Sequence, residues 1–395
     1  MIPPSALTSV FNSPPVQLQR TLSVIEQGIS EGLHTGAQIY VSQNGQPITD
    51  SAVGQNSPDV RMTTDTILPW LSAGKPLAVA ALALLWQRNQ LDIDDAVSEH
   101  IPEFAAHNKG SITIRHLLTH TGGFRWAEFS PTSTWDQIIH CICDARIEPR
   151  WQPGHKAGYH AFTSWYILAE IVQRHYGKSF ETAVRDEILL PLGMTDVRFT
   201  ISRRDQELLG SRLASLHGRL DSRPKKFSFD SADGGYACVP AAGARGPASQ
   251  LGAFYEMLLR RGTTPAGDVL LLPQTVEAIT ARHRAGMLDH TFKQVVDWGL
   301  GFIINSAIYG SEMVPYGYGP HASARTFGHG GSQSSAAFAD PEFGLAVAVI
   351  FNGMPGEIAH TRRIHATLGA LYEDLGLSRA AADAPPSSAS TARIG

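Results

Sequence analysis

Apolar and polar positions at the start of the chain predict a helix followed by a β-hairpin. The helix is indicated by apolar residues that recur every three or four positions: Leu18, Leu22, Ile25 and Ile29. Two strand-like runs follow, at residues 37–42 and 48–53. Asn44-Gly45 lies between them, and this dipeptide favours the tight turn that joins two antiparallel strands.

The C-terminal third returns to strands after a long middle region with helical periodicity. In chain order, the clearest predicted elements after the hairpin are an apolar helix at 72–90, helices at 164–176 and 248–261, strands at 300–305, 334–339 and 345–351, and a closing helix at 357–375. Strands therefore lie towards both ends of the chain, and helices lie between them.

This order of elements predicts an α/β protein of the α+β type. Hairpins from the two ends can join in one antiparallel sheet, covered by the N- and C-terminal helices, with the helical middle as an inserted lobe. We predict a sheet lobe from residues 16–75 and 291–378, a mainly helical lobe from 76–290 and a disordered tail from 379–395. A ligand site is expected in the cleft between the lobes.

Composition excludes some classes of function. The 395 residues are 43% hydrophobic and 17% charged with a net charge of -4, which allows a large core but no basic surface for nucleic acid. Three cysteines do not make a disulfide framework, so we expect free thiols. The N-terminus lacks the pattern of a secretory signal, and the longest apolar run, Leu77 to Trp86, is too short for a bilayer. We therefore expect a cytoplasmic protein that binds no membrane.

The strongest chemical candidate is Ser72-Ala73-Gly74-Lys75, an S-x-x-K pattern at the start of the apolar helix. Residues three apart share a helix face, so Lys75 can reach the Ser72 hydroxyl and take its proton. Desolvation beside the apolar helix would lower the pKa of Lys75 enough for it to act as a base. On the motif alone, a helix-capping serine followed by a solvated lysine is the favoured interpretation.

Competing motifs have less support. Ser222 to Lys225 repeats the S-x-x-K spacing, but in a basic, proline-containing loop. Gly28 to Gly32 fits G-x-S-x-G, but a helix precedes it and a strand follows, which reverses the order that a nucleophile elbow needs. His116 and His120 stand four apart without a third ligand in the sequence. We therefore expect no metal and no cofactor.

A series of short motifs follows Ser72 in a fixed order. They are Leu91-Asp92-Ile93-Asp94-Asp95-Ala96-Val97, Ile112-Thr113-Ile114-Arg115-His116-Leu117-Leu118-Thr119-His120-Thr121-Gly122-Gly123, Trp151-Gln152-Pro153-Gly154 five residues before Tyr159, Pro191-Leu192-Gly193-Met194 and Gly328-His329-Gly330-Gly331. The ordered set resembles the serine β-lactamase-like family, which includes class C β-lactamases, D-amino-acid peptidases, family VIII carboxylesterases and polyketide side-chain acyltransferases. The resemblance extends over roughly residues 15–375 and implies a class C β-lactamase-like fold.

The resemblance implies a role for each matching residue. Ser72 matches the nucleophile, Lys75 its base, and Tyr159 the tyrosine that shuttles protons, for which a depressed pKa is expected. The backbone N–H groups of Ser72 and Ser332 match the oxyanion hole. His329-Gly330-Gly331 matches the substrate-binding strand. Phe124 and Trp126 either line the acyl pocket or belong to ordinary packing.

Two departures from the family pattern bear on the substrate. Ala161 stands where β-lactamases and peptidases have an asparagine that holds the substrate amide, and His329 replaces a lysine that anchors a carboxylate. Both changes favour an esterase or an acyltransferase. The expected substrate is a small-molecule ester or another acyl compound. An amidase, D-amino-acid peptidase or β-lactamase is the alternative, and a non-catalytic binding homologue is a second. The oligomeric state stays open.

Overall fold

The computed structural model describes residues 18–130, 132–218, 237–310 and 317–378. Its helices are α1 (Gln19–Ser30), α2 (Lys75–Gln87), α3 (Val97–His100), α4 (Ile114–Leu118), α5 (Trp135–Asp144), α6 (Thr163–Tyr176), α7 (Phe180–Val184), α8 (Arg203–Leu209), α9 (Ala248–Leu259), α10 (Pro273–Thr280) and α11 (Glu357–Asp374). Its strands are β1 (Gly36–Gln43), β2 (Gln46–Ser57), β3 (Val60–Arg61), β4 (Leu68–Pro69), β5 (His217–Gly218), β6 (Arg245–Gly246), β7 (Leu288–Asp289), β8 (Gln294–Val295), β9 (Asp297–Trp298), β10 (Ile303–Ile304), β11 (Phe327–Gly331), β12 (Ser335–Asp340), β13 (Leu345–Phe351) and β14 (Gly353–Met354).

Strands from the two ends of the chain form one eight-stranded sheet. Its order is β3-β2-β1-β13-β12-β11-β10-β9, and every neighbouring pair is antiparallel. The two ends meet where β1 pairs with β13, in a register that runs from Ala37 opposite Phe351 to Gln43 opposite Leu345. The predicted fold class, an antiparallel sheet with flanking helices, is therefore confirmed.

Side chains of β13 alternate between two cores. Leu345, Val347, Val349 and Phe351 pack on the face that α1 and α11 cover, while Ala346, Ala348 and Ile350 join the core that contains α2 and α9. A strand buried on both faces has no polar positions to reveal its period, which explains why β13 is a continuous apolar run in the sequence. Small alanines on the second face leave room for α9 to lie close to the sheet.

Most local predictions agree with the structure. Asn44 and Gly45 have φ values of 50° and 75°, as a tight hairpin turn requires, and glycine tolerates such values without steric cost. The predicted strand at 300–305 is reduced to β10, because Gly301, with a φ of 77°, bends the chain just before it. Helix α9, predicted within the helical lobe, contacts β1 and β13 directly. The division into lobes remains a prediction.

Other general features of the chain can be checked in the described ranges. All three cysteines are free; Cys143 is buried, while Cys141 and Cys238 are partly buried. Within the same ranges we find no helix with the length and hydropathy that a bilayer span needs. The predicted tail at 379–395 lies outside the described residues, as does the basic loop with Ser222 and Lys225.

Candidate active site

Ser72 lies in a short 3₁₀ turn, Leu71–Gly74, that leads directly into α2. The turn is held from two sides: Trp70 donates its indole N–H to Gly246 O at 2.8 Å, and its own carbonyl accepts from Ser335 Oγ at 2.8 Å. Leu71 has a φ of 52°, in the left-handed region that residues with side chains rarely adopt. Such strain costs on the order of 1–3 kcal/mol and persists only where the surrounding packing imposes it.

Lys75 is fully buried, and its amine has three polar neighbours. Its Nζ lies 2.9 Å from Ser72 Oγ, 3.1 Å from Ala161 O and 2.7 Å from Ala241 O. Burial lowers the pKa of Lys75 well below its ordinary value, because an ammonium ion is poorly solvated there. No carboxylate is among these hydrogen-bond partners to offset that effect.

The neutral form of Lys75 matches this set of neighbours. A neutral amine has two N–H donors and one lone pair, and both carbonyls can only accept. In that form its two N–H groups can donate to Ala161 O and Ala241 O, which leaves the lone pair to accept the Ser72 proton. Transfer in this direction activates a serine, whereas a charged amine donates to Ser72 Oγ instead.

Tyr159 approaches Ser72 from the other side. Its hydroxyl donates to Ser72 Oγ at 3.0 Å, and its ring stacks on Phe292 and Trp298 with centroids 4.8 and 5.8 Å apart. Burial raises the pKa of Tyr159, and the hydrogen bond to Ser72 offsets only part of that effect. The expected depressed pKa is wrong, because desolvation of the phenol, with a smaller contribution from Asp289, outweighs the hydrogen bond to Ser72. Tyr159 is therefore a protonated donor in the resting site.

The third segment, β11, runs beside the serine turn. A Cβ atom on Gly331 would lie 2.3 Å from both Trp70 O and Ser335 Oγ, so only glycine lets β11 approach so closely. His329 is buried and donates from Nδ1 to Gly330 O at 2.8 Å. Burial lowers the pKa of His329 to about 3, so its imidazole is neutral near pH 7.

A cavity of about 290 Å³ adjoins these groups. It is lined by Leu71, Ser72, Tyr159, Ala161, Phe162, Ala242, Phe292, His329, Gly330 and Ser332. The structure thus brings the predicted serine, tyrosine and third-motif residues together around one cavity. Arginine and lysine are absent from these described lining residues, so the cavity offers an anion no permanent cation.

The two aromatic residues predicted near the acyl pocket lie elsewhere. Phe124 is fully buried and packs against Phe104 and His160, with ring centroids 5.2 and 4.8 Å apart. Trp126 is 68% exposed, beside the guanidinium of Arg125. Neither is among the residues that line the cavity. The structure therefore does not bring either side chain to Ser72.

Three features of the site had no separate signal in the sequence. Phe292 forms part of the cavity wall, Ala241 supplies a carbonyl to Lys75, and Asp289 accepts the backbone N–H of Tyr159 at 3.0 Å. Ala242, next to Ala241 in the chain, also lines the cavity. A lone carboxylate in a two-residue strand such as β7 has no periodicity by which it could have been found.

The competing sequence motifs do not form sites in the described residues. Ser30 ends α1 and donates its hydroxyl back to Gln27 O at 2.9 Å. His116 accepts the backbone N–H of Thr113 at 3.1 Å, whereas His120 is buried against the Tyr159 ring. Within the described ranges, no group of three or more His, Cys, Asp or Glu residues has the geometry to hold a metal ion.

Comparison with known proteins identifies the family. A sequence model of the Beta-lactamase family matches residues 23–371. The chain belongs to the β-lactamase family. The family resemblance predicted from the sequence is therefore confirmed, together with the fold.

Relatives within the β-lactamase family show which chemistry it supports. The chain is 25% identical over 379 residues to esterase EstB of Burkholderia gladioli, covering 85% of this chain and 91% of the relative. It is 27% identical over 301 residues to monacolin J acid methylbutanoyltransferase of Aspergillus terreus, covering 68% and 67%. The crystal structure of a penicillin-binding protein homologue from Caulobacter crescentus superposes with a TM-score of 0.73, at 27% identity over 89% of this chain and 97% of that one. The chain thus belongs to a family of serine hydrolases and acyl-transfer enzymes.

Proposed function

We propose that this protein is a serine esterase or acyltransferase. A carboxylic ester or thioester acylates Ser72, and water or an acceptor molecule then takes the acyl group. The observation that carries the proposal is the position of Ser72 Oγ, 2.9 Å from the buried amine of Lys75 and 3.0 Å from the hydroxyl of Tyr159. The esterase and the acyltransferase among the relatives support the same chemistry.

Acylation begins with Lys75 as the base. Its lone pair takes the Ser72 proton as Oγ bonds to the ester carbonyl carbon, and the carbonyl π electrons move to oxygen. The backbone N–H groups of Ser72 and Ser332 donate to that oxyanion in this scheme. The close packing of Gly331 on Trp70 O, which holds β11 beside the serine turn, supports this assignment. Fixed donors of this kind need no reorganisation as the negative charge develops.

Tyr159 completes acylation as the acid. When the tetrahedral intermediate collapses, the bond to the leaving alcohol breaks and its oxygen takes a proton from the phenol. The phenol is available because its raised pKa keeps it protonated at rest. The proton that Lys75 took restores Tyr159. Deacylation reverses the roles, with water or an acceptor alcohol as the attacking group.

Three features of the cavity favour esters over amides and β-lactams. Ala161 has no amide group with which to hold a substrate amide. His329, with a pKa lowered to about 3, carries no charge to anchor a carboxylate. The remaining wall is mainly apolar, from Leu71, Phe162 and Phe292. A neutral acyl group is therefore the better match.

Intact-protein mass spectrometry tests the proposal. The protein is incubated with a short-chain p-nitrophenyl ester and, separately, with a serine-directed phosphonate. We expect a single adduct on the wild type and none on the Ser72→Ala variant. An adduct on both proteins would assign the nucleophile elsewhere. An adduct on neither protein would indicate a non-catalytic homologue. Turnover of a β-lactam or a D-amino-acid amide at the rate of esters would contradict the ester preference.

A further inference from the structure

One buried carboxylate accepts hydrogen bonds from the backbone of Tyr159 and of a neighbouring hairpin. Asp289 Oδ1 accepts three N–H groups, from Tyr159 at 3.0 Å, Thr291 at 2.9 Å and Phe292 at 3.1 Å. Asp289 is fully buried, and one oxygen that accepts three backbone N–H groups fixes their positions relative to one another. The carboxylate thus joins the segment that carries Tyr159 to the hairpin of β7 and β8.

The second oxygen of Asp289 is fixed by Arg284. Arg284 Nη2 lies 3.1 Å from Asp289 Oδ2, and both side chains are buried. The guanidinium also donates to Thr119 O and Val296 O, each at 2.9 Å. A buried ion pair is weak evidence for stability, but one whose other polar atoms are all engaged holds its partners in one orientation.

The hairpin contacts Tyr159 at two more points. Thr291 Oγ1 donates to Tyr159 O at 3.0 Å, and Phe292 stacks on the Tyr159 ring at 4.8 Å with 25° between the planes. Both backbone groups of Tyr159 and one face of its ring are therefore held by residues that Asp289 organises. None of these contacts reaches the reacting atoms directly.

We infer that Asp289 is a positioning residue for proton transfer by Tyr159. It acts through the β7–β8 hairpin, which sets where the phenol lies relative to Ser72 Oγ. The inference rests on the proposed function, in which Tyr159 protonates the leaving alcohol. If the phenol is displaced, kcat/KM should therefore fall more for substrates whose leaving group needs that proton than for substrates whose leaving group departs without it.

Two esters with the same acyl group separate this role from a purely structural one. p-Nitrophenolate leaves as a stable anion, whereas ethoxide needs a proton as it departs. The Asp289→Asn variant keeps the size of the side chain, but it cannot accept from Arg284 and from the three N–H groups at once. We expect its kcat/KM for ethyl acetate to fall at least about tenfold more than its kcat/KM for p-nitrophenyl acetate. Tyr159→Phe is the benchmark and should give the same pattern more strongly.

Asp297→Asn is the matched control. Asp297 is also fully buried and lies 2.7 Å from Arg282 Nε, but its other partners are Gly286 and Tyr309 rather than the Tyr159 segment. This variant should lower both rates by one common factor, as a loss of folded protein does. The same common factor in Asp289→Asn would overturn the inference.

A second variant covers the case in which Asp289→Asn does not fold. Thr291→Val removes the bond to Tyr159 O without changing any charge, and it should shift the two esters in the same direction by a smaller factor. Equal loss on both esters would again overturn the inference. Failure of the proposed function is distinguishable, because the wild type itself would then form no Ser72 adduct.

Discussion

Replacing Lys75 with methionine should change how the stability of the protein depends on pH. Lys75 is buried and its pKa is lowered well below 10.5, because an ammonium ion loses its hydration there. In the unfolded chain the same lysine is solvated and binds a proton at any pH below its ordinary pKa. The unfolded state therefore binds one proton more than the folded state, between the folded-state pKa of Lys75 and 10.5.

The size of the effect follows from proton linkage. Within that window, each unit of falling pH favours the unfolded wild type by about 1.4 kcal/mol, and Lys75→Met removes this dependence. The free energy of unfolding of the variant should therefore rise relative to the wild type by about 1.4 kcal/mol per unit as pH falls. Below the folded-state pKa the difference becomes constant. The variant also loses the hydrogen bonds to Ala161 O and Ala241 O. This loss changes the difference in unfolding free energy by a constant amount at every pH, so it does not change the slope against pH.

Chemical denaturation at a series of pH values measures this slope. Unfolding free energies of the wild type and Lys75→Met are compared at pH values spaced by half a unit from neutrality upwards. Ser72→Ala is the control, because it keeps the lysine, so its difference from the wild type should stay flat. A flat difference for Lys75→Met as well would mean that the folded protein holds a charged lysine. The lysine could then not accept the Ser72 proton as proposed.

Two further predictions concern β11. Gly331→Ala places a Cβ atom 2.3 Å from Trp70 O, so β11 must shift away from the serine turn. Thermal unfolding should then show a loss of about 1–3 kcal/mol, and phosphonate labelling should slow by about 100-fold; unchanged labelling would argue against β11 as part of the oxyanion site. His329→Gln should retain kcat/KM within about tenfold and the same acid limb between pH 5 and 8, because the pKa of His329, lowered to about 3, leaves no charge to titrate there. A pH profile that loses its acid limb in this variant would contradict that reasoning.

Local signals were sufficient for the elements that form the sheet and its covering helices. The Asn44-Gly45 turn, the apolar run of β13 and the spacing in α1 each specify one conformation through nearby residues. The spacing of Ser72 and Lys75 predicted their contact, because both lie within one turn of the chain. The lowered pKa of Lys75 was also predictable, because an apolar helix follows it directly.

Contacts between distant segments were not predictable in the same way. The pKa of Tyr159 depends on its burial among Phe292 and Trp298, about 130 or more positions along the chain, so the expected direction was wrong. Asp289 has no pattern in sequence that distinguishes it from a solvated loop carboxylate. The sequence left Phe124 open between the acyl pocket and ordinary packing, and only the contacts of the folded chain show that its side chain lies in the core.

The pairing of β1 with β13 has a consequence for biosynthesis. The serine turn is translated early, whereas β11, which packs beside it, is translated some 260 positions later. Strand β13 must then insert between β1 and β12 to complete the sheet. Such long-range pairing cannot be made while the later strands are still inside the ribosome. A nascent chain that already displays Ser72 therefore lacks a working centre. On the proposed function, acyl transfer therefore starts only once β11 and β13 have been synthesised and have joined the sheet.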